Sequence, residues 1–249
     1  MPAVKLSLPQ DRELLAFVFA RFIDGEFTGL KEGYALNYAP DLDSADFLAK
    51  QIRDEIRHAK MYRRLYASLG ITGKVPRGHW LLQTIMAPIT GRLWLEHCFL
   101  DKAIGERWVL HLMETLIAQV ADKRVVTNLR AIARDEKTHI AFGEAQTKLH
   151  IGQSRFKRWY LWGLFLRVDF ALAIARRLTD RLIRRRYSAA AADLLLDFFV
   201  RAREQIAVDA ADILGVPVRR SWLQMIACQA IFLLRLPFAG WFRSPRGSF

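Results

Sequence analysis

The sequence predicts an all-α fold, a four-helix bundle with additional helices towards the C-terminal end. Apolar residues recur at three- and four-residue spacing through long segments rich in Leu, Ala, Arg, Glu and Ile, the periodicity of amphipathic helices. Strand-like alternation is scarce. Turn signals gather in short stretches: GYALNYAPDLDS (33–44), LGITGKVPRGH (69–79), HIGQS (150–154) and LGVPV (214–218). No Pro/Gly/Ser-rich linker and no low-complexity run divides the 249 residues, of which 52% are hydrophobic. The chain therefore reads as one domain, 1–249, with a four-helix core over 9–150 and a helical extension over 154–249 packed on it.

Taken in order, helix A is predicted from Pro9 to Lys31, with the stripe Leu15, Val18, Phe19, Phe22, Ile23, then Glu26 and Leu30. Helix B follows Ser44 as N-cap, with Leu48, Ile52, Glu55, Ala59, Tyr62 and Tyr66 on one face. Helix C, over 81–121, aligns Leu95, Phe99, Ala103, Glu106, Leu110 and Met113. Helix D, from Lys123, aligns Val126, Leu129, Ala133, Glu136, Ile140 and Gly143. One glutamate interrupts the core-facing stripe of every helix. Glutamate is almost never fully buried without a partner, because stripping water from a carboxylate is expensive. One such residue suggests a buried ion pair; four together ask for a shared ligand.

The spacings say what that ligand is. Residues 54–58 read DEIRH and residues 135–139 read DEKTH, and a Glu and a His three apart share one helix face. Glu26 and Glu106 are 80 residues apart, Glu55 and Glu136 are 81 apart, and His58 and His139 are 81 apart. The first helical hairpin is thus repeated in the second, each offering Glu on one helix and Glu-x-x-His on the next. Within the hairpins the glutamates are separated by 29 and 30 residues, which suits antiparallel helices holding both carboxylates at one height. Glu26, Glu55, His58, Glu106, Glu136 and His139 then form a two-metal site in a bundle core. Four carboxylates and two divalent cations sum to a neutral cluster, and six protein ligands leave positions open for small molecules. Zinc suits this set less well, since it favours four-coordinate sites with thiolate or more histidine. Asp54 and Asp135 each precede a ligand histidine by four residues, so each is expected to accept the distal N–H of its own motif's imidazole and orient that ring. On helix C, Glu96 and Asp101 are the rivals to Glu106, but both fall off the stripe. His79, His97, His111 and His150 have no partner at ligand spacing.

At these residues the chain resembles the ferritin-like di-iron carboxylate superfamily. Within it, IDGE (23–26), DEKTHIAFGE (135–144) and DAADILGVPVRRSWLQMIACQAI (209–231) resemble segments of aldehyde-deformylating oxygenases, which convert fatty aldehydes to hydrocarbons. The resemblance implies two iron ions, or a manganese–iron pair, held by the six residues named, with Glu55 and Glu136 bridging. Arg57 within DEIRH is similar to the corresponding arginine of bacterial multicomponent monooxygenases. Tyr62, four residues after His58, stands at the spacing of the radical tyrosine in the ribonucleotide reductase small subunit, though a plain core aromatic would read the same way.

The last hundred residues differ in character. Residues 151–249 hold 17 Lys and Arg against 7 Asp and Glu, whereas residues 1–150 hold 21 against 18. The apolar runs 159–175 and 222–242 are interrupted by Arg167, Asp169, Arg235 and Pro237. They are expected to be helices buried on two sides rather than membrane spans. Between them RRLTDRLIRRRY (176–187) sets Arg177, Arg181 and Arg185 on one face. That strip suits an anionic membrane surface or an acidic carrier protein; no nucleic-acid motif accompanies the charge. Cys98 and Cys228 read as core thiols. The N-terminal residues lack a secretory pattern, and a cytoplasmic protein, peripheral at most on a membrane, is expected.

The function expected is that of a non-haem di-iron oxygenase or oxidase, using O2 as co-substrate to oxidise an apolar organic molecule of fatty-aldehyde or acyl type. Phe22, Phe99 and Leu110 are the expected apolar lining. Without a GxGxxG fingerprint for flavin or nicotinamide, electrons are expected from an external reductase or ferredoxin-type donor. The alternatives are a ferritin-like ferroxidase or iron-handling protein, and a di-iron hydroxylase or N-oxygenase of small-molecule biosynthesis.

Overall fold

The computed structural model describes residues 11–29, 35–71 and 93–234. Among them the protein is all-α, with seven helices and no strand. Helix α1 is Arg12–Gly29 and α2 is Leu42–Ser68. Helix α3 is a continuous run of three pieces, Trp94–Glu96, His97–Gly105 and Glu106–Gln119, followed by α4, Lys123–Ile151. The C-terminal part contains α5, Arg155–Arg186, α6, Ala189–Leu214, and α7, Trp222–Leu234. The proposed start of helix C over 81–92, Leu30, His79, Arg235 and Pro237 lie outside the described residues.

Side chains capping the orphan amides explain where most of these helices begin. Asp41 caps α2, accepting from the Ser44 amide at 2.7 Å. The expected cap, Ser44, instead sits buried in the first turn. The carboxylate wins because it is charged and one turn upstream of the free amide, and that bond holds its pKa below the ordinary aspartate range. Asp122 caps α4 through the Arg124 and Val125 amides, while Ser154 and Ser188 cap α5 and α6. Gly215 ends α6 at φ +61°, a left-handed conformation that favours glycine.

Packing follows the predicted hairpins. Helix α1 lies along α2, and α3 lies along α4; α2 and α4 also touch and join the two pairs. Helix α6 covers α3 and α4, and α5 packs against both α6 and α7. One core runs through Leu15, Phe19, Phe22, Phe99, Met113, Leu129, Phe165 and Ala207, so the C-terminal helices share the interior of the first four. Asp169 is buried between α5 and α6, where Arg203 grips both its oxygens at 2.6 and 2.7 Å.

Two departures from expectation bear on the site. The middle piece of α3, His97–Gly105, is a π-helix in which the Glu106 amide donates to the Asp101 carbonyl five residues back. Within it His97, Cys98, Phe99, Leu100, Lys102, Ala103 and Ile104 are all buried, a broader face than the predicted stripe, of which Leu95 and Glu106 are only partly buried. Helix α7, moreover, is not buried on two sides over its described residues. It meets α5 along one seam, with Cys228 donating to the Tyr160 carbonyl at 3.0 Å, and leaves Trp222, Leu223, Ile226, Leu233 and Leu234 exposed. No described helix is long and apolar enough to cross a membrane.

Candidate metal centre

The centre lies where α1, α2, α3 and α4 face one another. Helix α1 brings Glu26, α2 brings Glu55 and His58, α3 brings Glu106, and α4 brings Glu136 and His139. Five of these residues are between 0 and 5% exposed, and the Glu106 side chain is 14% exposed. The structure brings all six together. Their ligating atoms fall into two groups, each within 4.8 Å: Glu26, Glu55, His58 and Glu136, and Glu55, Glu106, Glu136 and His139. Glu55 and Glu136 belong to both.

The individual atoms give this sharing a direction. Glu136 turns Oε1 to His58 Nδ1, 3.2 Å away, and Oε2 to His139 Nδ1, 3.1 Å away. Glu55 does the same, with Oε2 3.8 Å from His58 Nδ1 and Oε1 3.6 Å from His139 Nδ1. Each of these carboxylates therefore offers one oxygen to each half of the cluster. His58 Nδ1 also lies 3.9 Å from Glu26 Oε1, so it stands among oxygens of three carboxylates. An imidazole nitrogen grouped with carboxylate oxygens is the donor set of a cation site. The residues could hold a metal ion.

The electrostatics of the metal-free cluster reflect what such ions would replace. Burial pushes Glu26 well above the ordinary carboxylate range, and its hydrogen bond with Glu55 adds to the effect. Glu106 is raised by burial and by the charge of Glu136, against an opposing pull from Lys102. Glu136 is raised by burial while the His58 hydrogen bond opposes the rise. For Glu55 burial also acts upwards, but hydrogen bonds from Glu26 and His58 and the charges of Lys102 and His139 outweigh it and hold the group ionised. Burial alone would lower His58; hydrogen bonds to Glu136 and Glu55 overcome it and raise the imidazole to about 10. Protons and the positive side chains beside them thus balance the carboxylates where cations otherwise would.

The outer residues are arranged differently from expectation. Asp54 and Asp135 do face the ligand histidines, but across the helix pair rather than within each motif. His58 Nε2 is 3.1 Å from Asp135 Oδ2, and His139 Nε2 is 3.6 Å from Asp54 Oδ2. The reason is geometric. Each ring turns Nδ1 inward to the carboxylates, so Nε2 leaves on its far side, towards the neighbouring helix. Arg57 completes the exchange, reaching Asp54 and Asp135 at 2.8 Å each. Tyr62 is buried beside the cluster, but its hydroxyl donates to Met113 Sδ at 3.2 Å and its ring packs on Phe22. Burial, then the charges of the four glutamates, raises that phenol well above its ordinary value. Among the rivals on α3, Glu96 is buried away from the cluster, accepting from Tyr160 Oη at 2.6 Å, and Asp101 pairs with His97 at 2.7 Å.

Two residues that periodicity did not single out sit in the centre. Gln51, buried one turn before Glu55, donates from Nε2 to Glu55 Oε1 at 3.2 Å and to Glu106 Oε1 at 3.1 Å. Lys102, one turn before Glu106, places Nζ 3.2 Å from the same Glu106 oxygen. Both were legible by position, each four residues before a stripe glutamate, Glu55 or Glu106. Phe22, Phe99 and Leu110, the expected apolar lining, are all buried in the same core. In comparison with known proteins, no protein-family model matches the chain and no curated protein matches it.

Proposed function

We propose that this protein is a di-iron carboxylate oxidoreductase of the ferritin-like type, which uses O2 to oxidise an apolar organic substrate. The observation that carries the reading is the divided pair, Glu55 and Glu136, each turning one oxygen to His58 and the other to His139. A structural ion-pair network has no need for two carboxylates shared symmetrically between two histidines. Glu26 with His58 would complete one metal position and Glu106 with His139 the other, and a manganese–iron pair would use the same ligands. Two irons bound there would supply the redox chemistry that activates O2.

The chain's own residues account for the remaining requirements. Asp135 and Asp54 would fix the ring orientation of His58 and His139 and increase their basicity, and Arg57 holds those aspartates in place. Phe22, Phe99, Leu110 and Met113 exclude water from the carboxylates and keep the local dielectric low. Tyr62, a buried phenol kept neutral, would offer no anion to compete with the carboxylates. The apolar surroundings favour a substrate of fatty-aldehyde or acyl type, with electrons delivered by an external reductase or ferredoxin-type donor. The exposed arginines Arg177, Arg181 and Arg185 on α5 would suit an acidic carrier protein or an anionic membrane surface as the source of such a substrate.

Metal content is the deciding experiment. After anaerobic loading with ferrous iron and removal of loose metal, elemental analysis is expected to give two irons per chain, with loss in Glu55→Ala and Glu136→Ala. Loaded protein, given a chemical reductant in place of the natural electron donor, is then expected to consume O2 faster with long-chain aldehydes than without. No iron retained by the wild-type chain would overturn the reading; retained iron with no substrate-dependent O2 uptake would overturn the oxidoreductase assignment.

A further inference from the structure

Lys102 is fully buried, at 0% exposure, yet the metal-centre reading gives it no task. Its placement is built in. It lies in the π-helical piece of α3, whose tight contact with α4 depends on Gly143: a methyl at that position would collide with Lys102 Cβ and come within 2.8 Å of the Ala103 amide and the Cys98 carbonyl. The ammonium sits 3.2 Å from Glu106 Oε1. Gln51 Nε2 donates to that same oxygen and to Glu55 Oε1, and Oε1 is the Glu55 oxygen that faces His139 rather than His58.

The contacts of these N–H donors with the cluster fall on Glu106 and on the Glu55 oxygen of the His139 side. Among the described residues no lysine or arginine pairs with Glu26, Glu136 or His58; the nearest guanidinium, Arg57, is engaged outside the cluster by Asp54 and Asp135. A cation entering the Glu26–His58 half meets carboxylates and His58 Nδ1, with no lysine or arginine paired to them among the described residues. One entering the other half must displace N–H donors from Glu106 and Glu55 and tolerate a lysine charge a few ångströms away, in surroundings that screen it poorly.

We propose that Lys102 makes the two metal positions unequal, so that a divalent cation fills the Glu26–Glu55–His58–Glu136 position first and the Glu55–Glu106–Glu136–His139 position second and more weakly. Lys102 acts through Glu106 and is a positioning residue. The inference rests on the di-metal reading above and adds the order of loading to it.

Equilibrium dialysis of the full chain against a range of Mn2+ concentrations, with bound metal measured per chain, tests it without recourse to activity. Wild type is expected to bind in two steps whose dissociation constants differ by about tenfold or more. Lys102→Met is expected to tighten the second step towards the first, and Lys102→Arg to keep them apart. His139→Ala should remove the weak step and leave the tight one, and His58→Ala the reverse. These two variants assign the steps even where Lys102→Met folds poorly, which circular dichroism would report. Two coincident steps in wild type, an unchanged separation in folded Lys102→Met, or loss of the tight step in His139→Ala would each overturn the inference and leave the di-metal reading standing. No Mn2+ bound by any form would overturn both.

Discussion

Arg57 holds two aspartates at once, and through them two imidazoles. It reaches Asp54 and Asp135 at 2.8 Å, and those carboxylates stand behind His139 and His58. Because outer carboxylates set ring orientation and basicity, Asp135→Asn is expected to weaken metal binding about 10- to 100-fold. Asp54→Asn should weaken it less, since its contact with His139 is longer, at 3.6 Å against 3.1 Å. Metal retained at fixed free Mn2+ checks both, and equal losses would show that the difference in distance has no consequence. Arg57 itself is half exposed, so Arg57→Ala should cost little stability, and its effect should appear in metal affinity.

At the scale of the element, the π-helical piece of α3 carries Phe99, Lys102 and Ala103 into the interior and lies so close to α4 that only glycine fits at position 143. The neighbours of that position include backbone atoms, which yield less readily than side-chain ends. Gly143→Ala is therefore expected to destabilise the protein by about 1–3 kcal/mol through overpacking, read from the shift of its denaturant midpoint. The gain in helix propensity, roughly 1 kcal/mol for Gly to Ala, is too small to offset the collision. A variant as stable as wild type would mean that α3 and α4 can separate without penalty. The helical stripes were legible from periodicity: Glu26, Glu55, Glu106 and Glu136 all reach the cluster that their phases assign. Periodicity assumes 3.6 residues per turn, however, and where α3 widens to the π form the rule no longer says which residues turn inward.

For the whole molecule, stability and metal binding are linked. In the metal-free protein Glu26, Glu106 and Glu136 have pKa values raised above the ordinary 4.5. Each contributes stability that is fully present below that value and lost as pH rises through the folded one. His58 acts in the same sense, with stability present below 6.5 and lost as pH rises through about 10. Glu55, held low, acts in the opposite sense and loses its contribution in acid. Three carboxyls and an imidazole outweigh one carboxylate, so chelator-treated protein should become less stable between about pH 5 and pH 9. Urea midpoints across that range check this, and a rising midpoint would contradict it. Metal replaces the bound protons, so loading should release protons, bind more tightly as pH rises and raise the unfolding temperature; at 100 times the dissociation constant one site adds about 2.7 kcal/mol.

What the sequence by itself determined is the helical class of the chain and the six residues that meet at its centre. Both follow from spacing along a single chain: a helix repeats every 3.6 residues, so a face can be read before the helix is packed against anything. The 81-residue interval between two Asp-Glu-x-x-His motifs extended that reading to a pair of hairpins. Only the tertiary structure decided that Asp135 serves His58 and Asp54 faces His139, that Gln51 reaches Glu106, and that Glu55 and Glu136 divide their oxygens between two halves. Those contacts run between helices. They depend on how far one helix is turned and shifted against another, and on a local widening of the turn, and neither is written in the spacing of residues along one strand of chain.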